Sequence, residues 1–159
     1  MAKQKIQDAS VELQLVGFQL GQERFGVDIL LVKEIIPVGS ITRVPNSPDF
    51  VEGIINLRGE VIPVIDLRKR LNTGEATIEK SSRIIVVELE EQQIGFIVDV
   101  VSQVLRISAD AIEPPPDMVT GVGSEYIKGI ARVEGRLLML LDLKRVLSRS
   151  EQSTLQRVA

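Results

Sequence analysis

Two stretches of the chain carry the same ordering of apolar and polar positions. The first, residues 51–71 (VEGIINLRGEVIPVIDLRKRL), holds two short apolar runs joined at Leu57-Arg58-Gly59-Glu60 and closed by Asp66-Leu67-Arg68. Apolar runs of this length between turn residues predict buried strands, and Gly59 supplies the backbone freedom of a hairpin turn. Pro63 cannot donate to a β-ladder, which predicts a sheet edge for the second strand. Asp66 predicts an N-cap whose carboxylate receives the first amides of a short helix over 67–71. The second stretch, residues 127–147 (IKGIARVEGRLLMLLDLKRVL), repeats the pattern. Gly129, Gly135 and Asp142 follow Gly53, Gly59 and Asp66 at a constant spacing of 76 residues. Upstream, residues 25–36 and 94–105 repeat at a spacing of 69. Two blocks repeated in one order predict two similar units, and two copies are too few for a solenoid.

The rest of the chain fits short strands. Residues 11–20 alternate, with Val11, Leu13 and Leu15 inward, and slip phase at Val16-Gly17, which predicts a bulge. Gly21-Gln22-Glu23 turns into a partner strand over 24–29. Residues 30–38 read either as one helical turn or as a strand; β-branched Ile35, Ile36 and Val38 with Pro37 favour strand by the end. A Pro-containing loop covers 39–49, and the polar stretch 72–82 marks the midpoint. Ile84-Ile85-Val86-Val87 is apolar on both faces, as in a strand covered on both sides. A turn at Glu91-Gln92, strands over 94–98 and 100–107, and a stiff proline run from Glu113 to Asp117 follow. Gly121 and Gly123 lead into the second hairpin, and Asp142 caps a last helix from Leu143 to about Ser150. Each unit thus carries about five short strands and a terminal helical turn, an all-β barrel pattern in which closure removes exposed edges.

Composition narrows the chemistry. The 159 residues contain no cysteine and no histidine, so thiolate chemistry, the commonest general base and the commonest metal ligand are all missing. No run reaches the roughly 18 apolar residues of a membrane span, and the first ten residues lack a signal-peptide core. A cytoplasmic protein without membrane insertion is expected. The net charge is −3 and the five aromatics are scattered, without the basic stripe and stacking rings of a nucleic-acid binder.

Asp66 and Asp142 form the one obvious carboxylate pair, but each stands immediately before a helical pattern, where capping accounts for it. Gly121-Val122-Gly123 is a lone GxG without a Walker or Rossmann context. Ser81, Ser82, Ser102 and Ser108 have no base to activate them and no GxSxG elbow. No enzyme is expected. Differences between the repeats remain: Glu34 becomes Gln103 and Arg58 becomes Glu134, so one charge pair exists only in the first unit. Drift on solvated turns or a partner surface would both account for it. Ile29, Val32 and Ile35 beside Glu34 read as core or as a groove for a partner's apolar side chains.

FGVDILLVKEI, VEGIINLRGEVIPVIDL and IGFIVDVVSQVL together resemble the CheW-like domain family of bacterial chemotaxis, over residues 13–147. That domain also occurs within the histidine kinase CheA and in CheV; 159 residues leave no room for a kinase core or receiver domain, so a stand-alone coupling protein is expected. The resemblance implies a mainly β fold of two intertwined five-stranded SH3-like barrels with short helices. The first barrel is expected at about 11–80 and the second at about 81–150, between flexible tails at 1–10 and 151–159. It implies a non-catalytic adaptor without cofactor or metal. Its partners would be the cytoplasmic tip of methyl-accepting chemoreceptors and the regulatory domain of CheA, in arrays recruited to the membrane. The positions matching the family's receptor groove are Val16, Ile29, Val32, Ile35 and Val101, with Glu34 and Arg58 as polar members. Gly95 and Gly129 match kinase-facing positions, where fold damage would equally explain an effect of substitution. Coupling in a non-flagellar pathway is one alternative; a small β-barrel that binds a ligand or nucleic acid is another, of a different class.

Overall fold

The computed structural model describes residues 11–115 and 125–147. In these, strands β1 (Glu12–Leu20), β2 (Glu23–Asp28) and β3 (Val32–Pro37) precede the hairpin β4 (Val51–Leu57) and β5 (Glu60–Asp66). Helix α1 (Leu67–Arg70) closes the first unit. The second unit repeats the series as β6 (Arg83–Leu89), β7 (Gln92–Val98), β8 (Val100–Ser108), β9 (Ile127–Val133), β10 (Arg136–Leu141) and helix α2 (Leu143–Val146). The N-terminal and C-terminal tails, the glycines at 121 and 123 and the helical extension to Ser150 fall outside the described residues.

The strands form two five-stranded sheets, ordered β8-β1-β2-β10-β9 and β3-β6-β7-β5-β4. Replacing each strand by its repeat counterpart turns one order into the other. The units have exchanged strands: β1 and β2 pair with the second unit's β8 to β10, and β6 and β7 with the first unit's β3 to β5. The expected division at 80/81 therefore does not separate the sheets. The physical cause lies in the β2–β3 connection, where a 3-10 turn (Ile29–Leu31) capped by the Asp28 side chain carries the chain from one sheet to the other. Residues 30–38 thus contain both readings, a helical turn and then a strand.

Each sheet curls until its edges meet. The loop after β3 bridges to β4 through Thr42 and Ile54, and the segment after β8 bridges to β9 through Glu113 and Ile130. Both joins consist of two backbone hydrogen bonds of 2.8–2.9 Å. The result is two barrels without long free edges.

Pro63 does not lie at an edge: β5 runs between β4 and β7. The parallel ladder to β7 begins only at Val64, so the missing amide falls one residue before the ladder that would have needed it. Val11 is exposed rather than inward. The β6–β7 turn sits one residue early, at Glu90-Glu91, both left-handed with φ of 49° and 70°. The bulge at Val16–Phe18 is present in the pairing of β1 with β8.

Among the described residues, three apolar clusters hold the barrels. One lies between the sheets and takes Phe18 and Phe25 from the first with Ile85 and Phe96 from the second. Phe18 and Phe25 stack with centroids 5.6 Å apart. Each barrel adds a smaller cluster, around Leu15, Leu105 and Leu138 in one and Ile62, Val64 and Ile84 in the other. β6 explains its doubly apolar sequence here, since Ile85 and Val87 face the shared core while Ile84 and Val86 fill a barrel.

Candidate docking site

The two capping aspartates are fully employed. Asp66 is buried and accepts the Arg68 and Lys69 amides at 3.1 and 3.4 Å, and its second oxygen accepts the Ala76 amide at 2.9 Å. Asp142 accepts the Lys144 amide at 3.1 Å. Each serves the orphan donors of its own helix.

Three of the candidate receptor-facing residues share one core. Ile29, Val32 and Val101 are half-buried and pack against the shared core. Val32 belongs to β3 in one sheet and Val101 to β8 in the other, so this apolar surface is contributed by both barrels. Ile35, on the edge strand β3, is 38% exposed. Val16 differs: at 3% exposure it is a core residue and offers a partner no surface. Inward alternation on a central strand puts it there.

Glu34 and Arg58 join across the barrel mouth. Glu34 stands on β3 and Arg58 at the tip of the β4–β5 hairpin, the two edges of one sheet. The Arg58 guanidinium donates to the Glu34 carboxylate. That hydrogen bond holds the Glu34 carboxyl below its ordinary value against the opposing effect of desolvation, and raises Arg58 in turn. Arg58 adopts φ of 53° and Gly59 of 87°, the left-handed pair of a two-residue hairpin turn. The counterpart positions hold Gln103 and Glu134, which cannot form this pair.

Gly95 and Gly129 are buried. A Cβ on Gly95 would stand 2.6 Å from Ile84 Cγ2, and one on Gly129 2.4 Å from Ile112 Cγ2. Both are packing positions inside the barrels, so an effect of their substitution on a partner would pass through the fold.

Two features escape the sequence. Leu30, at the crest of the 3-10 turn between Ile29 and Val32, is 88% exposed. Its exposure follows from the turn, which a hydropathy pattern cannot distinguish from a strand. The second is an ion pair between Arg68 on α1 and Asp99, which also accepts the Gly21 amide at 2.6 Å. Burial pushes the Asp99 carboxyl up, but the hydrogen bonds from Arg68 and Gly21 outweigh it and hold it below its ordinary value. Asp99 lies 69 residues after Leu30, so the repeat puts an exposed leucine in one unit where the other has an ion-paired aspartate.

Comparison with known proteins gives one answer. The family model described as the CheW-like domain matches residues 14–151. The chemotaxis protein CheW of Treponema pallidum is 40% identical over 152 residues, covering 93% of this chain and 88% of that protein. Its namesake in Klebsiella aerogenes is 35% identical over 155 residues, covering 98% and 93%. The crystal structure of the scaffolding protein TtCheW from Thermoanaerobacter tengcongensis matches with a TM-score of 0.80 at 41% identity, over 89% of this chain and 91% of that one.

Proposed function

The chain belongs to the CheW-like domain family of non-catalytic chemotaxis scaffolds, and from that membership we propose that it joins the cytoplasmic tip of chemoreceptors to the regulatory domain of the kinase CheA. The receptor tip would dock where both barrels contribute apolar surface, on Ile29, Val32, Ile35 and Val101, with Glu34 and Arg58 on the rim. The observation that carries this reading is the Glu34–Arg58 pair, with Glu34 on the same strand as Val32 and Ile35 and without counterpart in the second unit. An exposed pair of this kind contributes little to stability, whereas a charged rim around apolar anchors fits a docking surface. Among the described residues no helix is long and apolar enough to cross a membrane; recruitment to the membrane would come through the receptor. The adaptor transmits a receptor state only if its contacts differ between signalling states.

A pull-down with a receptor signalling-domain fragment and with the CheA regulatory domain tests this, using the parent and Arg58→Ala. Arg58 already has positive φ, so alanine there adds no backbone demand that arginine did not meet. Weakened receptor capture with unchanged kinase capture and an unchanged far-UV CD spectrum is expected. Capture of neither partner by the parent, or loss of receptor capture only together with a changed spectrum, would refute the reading.

A further inference from the structure

Arg70 ends α1, and its guanidinium carbon lies 5.1 Å from the centroid of the Phe50 ring and 5.2 Å from that of Tyr126. Its Nε donates to the Val146 carbonyl oxygen at 2.6 Å. Phe50 and Tyr126 are separated by the repeat spacing of 76 residues, and so are Arg70 and Val146. The two aromatics hold matching places in detail: the Asp66 amide donates to the Phe50 carbonyl and the Asp142 amide to the Tyr126 carbonyl, both at 2.8 Å. One arginine therefore sits between equivalent rings of the two units and bonds to its own counterpart position in the other. Tyr126 belongs to the core between the sheets, and Phe50 packs against it.

Ile29, Val32 and Val101 pack against that same core. Val32 and Val101 are themselves a repeat-related pair, one in each sheet. Their separation is set by how the sheets are oriented, because no single sheet holds both. A close-packed core passes a change of orientation on rather than absorbing it. A cation between two aromatic faces favours one spacing of the rings, and the hydrogen bond to Val146 fixes the direction from which it enters.

We propose that Arg70 is a positioning residue for receptor docking: held between Phe50 and Tyr126, it sets the angle between the two sheets and with it the spacing of the apolar surface that Val32 and Val101 share. This rests on the docking reading given above. A partner that touches both sheets senses the angle, so receptor docking should respond to it.

Arg70→Met keeps an unbranched apolar stem between the rings but removes the charge and the donor; Arg70→Lys keeps the charge and loses the planar fork. The chain contains no cysteine, so spin labels at Glu60→Cys and Arg136→Cys, one on each sheet, report the inter-sheet distance by pulsed electron resonance. Arg70→Met is expected to broaden that distance distribution. It should weaken titrated binding of the receptor fragment by roughly three- to tenfold with an unchanged far-UV CD spectrum. Arg70→Lys should recover part of the loss. An unchanged distribution in Arg70→Met, or a broadened one with unchanged receptor affinity, would overturn the positioning role. Failure of the parent to bind the receptor fragment would overturn the docking reading instead, and the distance measurement would still decide whether Arg70 sets the angle.

Discussion

Gly53→Ala is expected to destabilise the protein by about 3–5 kcal/mol, while Gly59→Ala, in the same hairpin, costs about 1–2 kcal/mol. A Cβ on Gly53, whose φ is +158°, would stand 2.2 Å from the Thr42 carbonyl oxygen, 2.8 Å from its carbon and 2.7 Å from Ile41 Cγ2. The first two are backbone atoms, which cannot rotate aside. Thr42 and Ile54 exchange two hydrogen bonds of 2.9 and 2.8 Å there, and relief requires breaking that bridge. Two hydrogen bonds at about 1 kcal/mol each, with about 1–3 kcal/mol for overpacking, give the larger figure. At Gly59, φ is +87° and nothing lies within 4 Å of a built Cβ, so only the left-handed backbone penalty applies. Urea titrations followed by CD would separate the two. With a slope of about 2 kcal/mol per molar, Gly53→Ala lowers the midpoint by about 2 M and Gly59→Ala by less than about 1 M. Because the bridge joins the sheet edges that Glu34 and Arg58 also span, the variant should loosen the barrel mouth before the rest of the fold. Two variants of equal stability would refute the account of edge closure.

Gly95→Ala should lose about 1–3 kcal/mol from the clash with Ile84, yet bind the kinase domain like the parent at temperatures where CD shows it folded; weaker binding by folded protein would restore Gly95 to the interface. Asp99, held below its ordinary pKa by Arg68 and Gly21, contributes stability that is present above its unfolded pKa near 4 and lost as the pH falls through the lower folded value. Asp99→Asn should therefore reduce stability at neutral pH and flatten its decline below about pH 4, measured by urea titration across pH; an unaltered slope would count against the ion pair. Separately produced fragments 1–80 and 81–159 should each lack stable sheets and regain them on mixing, since every sheet draws strands from both; native-like NMR dispersion in either alone would contradict the strand exchange.

The local elements were legible because they depend on neighbours in the chain. Alternation located the strands, Gly59 and Gly135 the hairpins, and the two aspartates the helix starts, all within a residue or two. The differences between Glu34 and Gln103 and between Arg58 and Glu134 were legible too, but drift on solvated turns and a partner surface accounted for them equally. The resemblance supplied candidate receptor- and kinase-facing positions, of which Val16 is core and Gly95 and Gly129 are packing positions. Burial depends on which strands surround a residue, and a motif match does not report it.

What the linear pattern could not contain is which strands pair. A repeat of 69 and 76 residues is equally compatible with two self-contained barrels and with two that exchange strands, since the alternation is the same in both. The choice is made where the Asp28-capped turn lifts β3 away from β2, and the loss of a local pairing is compensated by an apolar core shared between both sheets. Pro63 shows the same limit: its missing amide is a property of the residue, but whether that matters depends on where the neighbouring ladder starts. The exposure of Leu30, the pairing of Arg68 with Asp99 and the seat of Arg70 between Phe50 and Tyr126 all follow from that exchange. Sequence alone determined the elements and the family; packing between distant segments decided the barrels, because long-range contacts are chosen by the whole set of surfaces buried together rather than by any one stretch.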